Sequence, residues 1–316
     1  MARYAGRTLH QRLADLPEFK EKKYGEALRR AFLKTDEDLR VDPVYANDSS
    51  GCTAVAALFV PGEAEGGGDR GRIIAANAGD SRLVLGLKGE AKPLSFDHKP
   101  GNPEEHSRIL NAGGFVEFDR VNGNLALSRA LGDFEFKQNT GLPAEEQIVT
   151  ADPQIITHEI TGEEEFLVLA CDGIWDCLSN QQVVDLVRRG IANGQDLQKI
   201  TEDIIERCLA PDAEMGGIGC DNMTLCIVGI YGGRTKEEWQ AWIKDRVEKQ
   251  IGWATPEEIP PVFRTQRSPG QGGGMRNAAL SLDGLGGSGL LSAIPRVLSG
   301  QNAEEFDNMN EDEDGR

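Results

Sequence analysis

The chain has 316 residues, 39% of them hydrophobic and 27% charged, and a formal net charge of −18 at neutral pH. That balance fits a globular protein with a substantial core, and no window approaches the ~20 consecutive apolar residues that a spanning helix needs. The negative charge speaks against nucleic acid as a partner, because phosphate backbones are met by clustered Lys and Arg.

Taken in chain order, residues 22–40 place Tyr24, Leu28, Ala31, Phe32 and Leu39 at helical spacing and predict an amphipathic helix. Strand-like runs follow at 52–60, 72–78 and 82–87, the first two joined by a Gly-rich polar loop over 61–71. Between the second and third runs, NAGDSR reads as a strand-to-strand hairpin in which Asp80 is a turn-former without chemistry. A helix is expected near 103–112, closed by Gly113 and Gly114, and Asn122-Gly123 suits a tight hairpin turn.

Further strands are expected at 154–160, 165–171 and 223–231. SNQQ at 179–182 and TKEE at 235–238 read as capping boxes opening helices, with another helix over roughly 196–209. Strands in runs with helices in pairs favour antiparallel sheets covered by helices, an α+β arrangement. After about residue 252, Pro and Gly clusters and the acidic NAEEFDNMNEDEDGR make a low-complexity tail, so the domains are expected as 1–250 and a disordered 251–316.

Six cysteines lie scattered without a CxxC pair, and the four histidines are not at zinc-ligand spacing from them. Reduced thiols of an intracellular protein account for them, and the polar start MARYAGRTLH is no signal peptide. The carboxylates are more informative. FLVLACDGIWDC ends an apolar strand in Asp172, and a following helical turn would put Asp176 on the same side. Asp221 in GCDNM and Asp97 in FDHKPGN also stand at element ends. Hard cations such as Mg2+ or Mn2+ take carboxylate oxygens held in this way, although an Asp at a strand end is usually a cap or turn-former. No EF-hand loop is present to support a calcium reading. His98 and His106 read as polar surface or network residues.

GCTAVAAL, NAGDSRLVL, DHKPGNPEEHSRI, AGGFVEFDRVNGNLALSRALGDFEFK, EEQIVTADP, LACDGIWDCLSNQ and IGCDNMTLCIV, in this order, resemble successive motifs of the metal-dependent protein serine/threonine phosphatases (type 2C, the PPM family), most closely its fungal branch. The resemblance runs from about residue 5 to residue 231. It implies an αββα sandwich of two antiparallel sheets flanked by helix pairs, and hydrolysis of phosphoserine and phosphothreonine with two Mg2+ or Mn2+ ions. It implies Asp172 and Asp221 as core metal ligands, and Asp97 and Asp176, with Asp172, as a third-metal site. Arg129 and Asp133 become packing and hydrogen-bond residues.

The family pattern also includes an upstream Asp-Gly-His-Gly-Gly, which supplies a metal-bridging Asp and a proton-donating His, and these 316 residues do not contain it. The expectation is therefore an N-terminally incomplete sandwich, a fragment beginning at an internal Met, with no catalytic residue or other cofactor site assigned within it. The alternative is a catalytically dead relative that binds phosphoproteins. Phosphorylated proteins are the expected partners, with neither nucleic acid nor membrane, in a monomer of the cytoplasm, the nucleus or both.

Overall fold

The computed structural model describes residues 1–46, 48–62, 70–212 and 216–263. The centre of the polar 61–71 loop and the acidic tail from 264 onward lie outside the described residues. No helix among the described residues is long and apolar enough to cross a membrane.

The chain opens with three helices, α1 (Ala2–Asp15), α2 (Pro17–Lys20) and α3 (Tyr24–Val41). A short β1 (Gly51–Cys52) leads into β2 (Ala54–Val60), β3 (Arg72–Ala78), β4 (Arg82–Leu87) and β5 (Glu90–Pro93). Helix α4 (Pro103–Asn111) precedes the small strands β6 (Val116–Glu117), β7 (Arg120–Val121) and β8 (Leu131–Gly132). The rest comprises β9 (Gln154–Glu159), β10 (Glu164–Ala170), α5 (Asp172–Trp175), α6 (Asn180–Ala192), α7 (Leu197–Cys208), β11 (Leu225–Gly229) and α8 (Lys236–Glu248).

Two antiparallel sheets form the centre, one ordered β2-β3-β9 and the other β11-β10-β4-β5. The period of two in each strand sorts its side chains between layers. From β3, Ile74, Ala76 and Ala78 pack with Leu28, Ala31 and Phe32 of α3, while Ile73 and Ala75 face the opposite way. There they meet Leu83 and Leu85 of β4 and Leu167 of β10 in the core between the sheets. The outer face of β10, Phe166, Val168 and Ala170, packs under Val183, Val184 and Val187 of α6 and Trp239 of α8. The layers are therefore helix, sheet, sheet, helix, and this is the α+β sandwich the sequence implies.

Local chemistry fixes the helix starts. Ser179 with Gln182, and Thr235 with Glu238, form complete capping boxes, each satisfying two amide groups that a helix start leaves open. Such a cap is worth about 1 kcal/mol.

Two expectations change and one gains an extra turn beside it. NAGDSR is not a hairpin: β3 and β4 belong to different sheets, and the segment carries the chain across at Gly79, whose φ of +123° only glycine adopts readily. The β6–β7 hairpin turns on Phe118-Asp119, whose φ values of 51° and 57° meet the left-handed requirement of the turn. Asn122-Gly123 makes the expected tight turn immediately after it, with the Asn124 amide donating to the Val121 carbonyl and Val121 bridged to Leu125. Finally, residues 251–263 pack on the domain and extend it beyond 250. Buried Arg188 donates to the carbonyls of Ile251 and Trp253, and Val262 adds to the core under α6 and α7. Pro256, Pro260 and Pro261 break helix and strand patterns in that segment, and arginine-to-carbonyl bonds, which a sequence does not display, hold it.

Candidate metal centre

Apolar β10 runs straight into the candidate site. Cys171 caps the single turn of α5, and the Trp175 indole donates back to the Ala170 carbonyl at 2.8 Å, fixing the turn. The Asp176 amide donates to the Asp172 carbonyl at 2.8 Å, which stacks the two aspartates one turn apart on one side. The Asp221 loop lies against this turn. A Cβ on Gly173 would stand 2.3 Å from the Asn222 carbonyl oxygen, so the close approach depends on glycine. Cys171 ties the other side: its thiol meets the Asn222 carbonyl and accepts from the Thr224 amide, each at 3.2 Å.

Asp80 joins this group from the crossover between the sheets. It is 5% exposed, and its Oδ2 accepts from Lys99 Nζ at 2.5 Å. Partial burial, then the charges of Asp80, Asp221 and Asp176, hold the Asp172 carboxyl above the usual carboxylate range, with Lys99 opposing. Asp176 is raised as well, by desolvation first and by Asp80, Asp97 and Asp221 after the opposing Lys99. Burial disfavours the Lys99 ammonium, but Asp80, Asp97 and Asp176 hold it above its ordinary range. Asp80, Asp97, Asp176 and Asp221 thus act with Asp172 as a group of five carboxylates, and Lys99 opposes them. They are hard oxygen donors with negative charge to spare, the chemistry that suits Mg2+ or Mn2+. Among the described residues, no three His, Cys, Asp or Glu side chains converge closely enough to hold a metal as they stand.

Asp97 is engaged differently. Arg82 grips it with two hydrogen bonds, Nε to Oδ1 at 2.9 Å and a terminal nitrogen to Oδ2 at 2.8 Å, and the guanidinium lies 5.3 Å from the Trp175 ring centre. The structure thus brings Asp172, Asp176 and Asp221 into one electrostatic neighbourhood, with Asp97 on its rim and Asp80 inside it. Sequence reasoning passed over Asp80 and Lys99. The signal for Asp80 was a glycine-led crossover, which looks like a hairpin until the sheets are known.

The remaining candidates are structural. His98 is 4% exposed with Nδ1 against the Gly79 backbone, and burial, then Arg129, pushes it down to about 4, so it is neutral at pH 7. Arg129 pairs with Glu105 and donates to the Asp152 carbonyl.

Residues 1–215 match the protein phosphatase 2C family. The chain belongs to that family. It is 50% identical over 277 residues to Protein phosphatase 2C homolog 2 of Aspergillus fumigatus, covering 88% of this chain and 61% of that protein. It is 49% identical over 283 residues to the protein of the same name in Schizosaccharomyces pombe, covering 90% of this chain and 73% of that one. A phosphatase from a pathogenic strain of Toxoplasma gondii superposes with a TM-score of 0.59 at 26% identity, over 74% of this chain and 82% of the other. A sex-determining protein of Caenorhabditis elegans shares the fold, with a TM-score of 0.60 at 23% identity over 77% of this chain and 55% of that one.

Proposed function

We propose that the protein acts in metal-dependent hydrolysis of phosphoserine and phosphothreonine in proteins, with Asp172 and Asp221 as ligands of Mg2+ or Mn2+. What supports this reading is that Asp176 stacks one turn after Asp172, that the loop of Asp221 abuts Gly173, and that the charges of Asp80, Asp176 and Asp221 all raise the Asp172 carboxyl. The relatives support it through their names. Asp80 and Asp176 stand with Asp172 as candidates for a further ion. Asp97, committed to Arg82, would act by holding the rim in place.

Bound divalent cations would supply charge neutralisation at the phosphoryl group and lower the pKa of an attacking water. The chain's own contribution is positional. Strand β10 leads into Asp172, the Gly173–Asn222 contact sets the Asp221 loop against its turn, and Lys99 pairs with Asp80. Asp-Gly-His-Gly-Gly is not among these 316 residues, so the proposal assigns them one side of the centre. Positioning of the reacting groups supplies several kcal/mol of a barrier, and one side alone cannot impose it. Phosphorylated proteins are the proposed substrates.

Phosphopeptide turnover in millimolar Mn2+ tests this, comparing the 316-residue chain with a form extended by a relative's upstream segment. Weak turnover by the first is expected, with chelator-sensitive turnover by the second that Asp172→Asn abolishes. No turnover by either form, with phosphopeptide binding retained, would replace the enzyme by a binding module. Strong chelator-sensitive turnover by the 316 residues alone would show that other side chains complete the centre.

A further inference from the structure

Residues 251–263 form a strap across the outer helices, held by main-chain carbonyls. Arg188 of α6 reaches the carbonyls of Ile251 and Trp253, at 3.1 and 2.8 Å, and the Thr255 hydroxyl at 2.8 Å. Its neighbour Arg189 donates to the carbonyls of Thr255 and Pro256 at 2.6 and 3.1 Å. Arg207, in the last turn of α7, donates to the carbonyls of Ile259 and Pro260. The strap thus runs from α6 to the end of α7, and Phe263 stands at its far end.

Phe263 meets the loop that carries Asp221. A Cβ on Gly219 would lie 2.6 Å from the tip of the Phe263 ring, 2.5 Å from the Cys208 carbonyl oxygen and 2.8 Å from the Ala210 nitrogen. Gly219, with φ +83°, is buried, whereas Gly216, Gly217, Ile218, Cys220, Asp221 and Asn222 are exposed. Its carbonyl accepts from the Ala210 amide at 2.9 Å, and the Cys220 amide turns back to the Gly217 carbonyl at 3.1 Å. Asp221 therefore hangs two residues from the one buried point of an exposed loop, and the strap's aromatic ring helps form that point. On the other side of the loop, Asn222 abuts Gly173, the neighbour of Asp172. Cys177 joins the two sides, its thiol meeting the carbonyls of Gly173 at 3.3 Å and Cys208 at 3.6 Å.

We propose that the strap is a positioning element for the metal centre: Phe263, seated on Gly219 and tethered through Arg207, sets the path of the 216–222 loop and with it the place of Asp221 relative to Asp172. The inference rests on the reading of Asp172 and Asp221 as cation ligands. Phe263 is thus a positioning residue that acts through Gly219. Residues beyond the family-matched region thereby bear on the strength of the centre.

The test uses the full chain with Phe263→Ala, Phe263→Leu and Asp221→Asn. Amide hydrogen exchange and Mn2+ binding, followed by the electron paramagnetic resonance of free Mn2+, are read on each. With Phe263→Ala, exchange should quicken at Ala210 and Cys220 while the amides of α6 and β10 keep their protection. Mn2+ binding should weaken roughly tenfold, the scale found when supports of metal ligands are removed. Phe263→Leu, which keeps an apolar plug, should restore most of both. Unchanged exchange at Ala210 and Cys220 in Phe263→Ala, with Mn2+ binding lost in Asp221→Asn, overturns the strap's role and leaves the ligand reading standing. Unchanged Mn2+ binding in Asp221→Asn overturns the ligand reading and this inference with it, even where exchange quickens. Faster exchange with unaltered Mn2+ affinity in Phe263→Ala shows a purely structural strap and also overturns the proposal.

Discussion

Arg188 and Glu165 face each other with both side chains wholly excluded from solvent, Nε to Oε2 at 2.9 Å. That contact is an ion pair without hydrogen-bond geometry, and the hydrogen bond runs instead from a terminal nitrogen of Arg188 to Oε1 at 3.1 Å. Arg246 brings a second guanidinium to Glu165 at 3.0 Å. The pair thus ties β10, which leads to Asp172, to α6, α8 and the start of the strap. Removing Arg188 leaves buried Glu165 with Arg246 alone and takes away the donors to the Ile251 and Trp253 carbonyls. Arg188→Ala should destabilise the fold by about 3–5 kcal/mol, measured as a loss of unfolding free energy in urea. A loss under about 1 kcal/mol would mean that Arg246 alone neutralises Glu165 or that water reaches it.

Asp133 should behave in the opposite sense. It is 8% exposed, and burial first, with Glu135 and Asp36 outweighed in part by Lys137, raises it to about 6. Its folded pKa lies above the unfolded value of 3.8, so its contribution is fully present below that value and is lost as pH rises through 6. Asn tolerates the left-handed φ of +49° at this position. Asp133→Asn should therefore be more stable than the parent at pH 7.5, by up to about 3 kcal/mol, with the difference fading toward pH 4. Urea unfolding at both pH values reads this directly. A pH-independent difference would mean that the carboxyl titrates normally.

The helices and the antiparallel sheets were legible because their signals are local, whereas the sandwich was implied by the family resemblance. The Tyr24–Leu39 spacing, the apolar runs of β3 and β10 and the two capping boxes are each local. The carboxylates at 172 and 176 were legible for the same reason, since a strand end and a helical turn are both local facts. Asp80 was not, because its significance depends on β3 and β4 lying in different sheets, a long-range property. Nor was the strap, whose attachment uses Arg188, Arg189 and Arg207 on main-chain carbonyls that every sequence offers. The Phe118-Asp119 turn escaped because Phe is not a usual choice where φ is positive.

Glu105 carries an acid-side expectation. It is 3% exposed, and although burial raises its carboxyl, the hydrogen bond from Arg129, the charges of Arg108 and Arg129 and the bond from Ser128 bring it down to about 2. With the folded value below the unfolded 4.5, this stabilisation is present above 4.5 and is lost as pH falls toward 2. Glu105→Gln should cost about 3 kcal/mol at pH 7 and about half of that at pH 3. Thermal or urea unfolding across that range should show the two proteins converging. Parallel curves would place the stabilisation in packing instead of charge.

The account's central claim is that Asp172 is a cation ligand in a cluster that also draws on Asp221, and Mn2+ titration of the 316-residue chain tests it most directly. Asp172→Asn should weaken Mn2+ binding at least roughly tenfold, while exposed Glu237→Gln leaves it unchanged. Equal Mn2+ affinity in Asp172→Asn and the parent, with both folded, would contradict it.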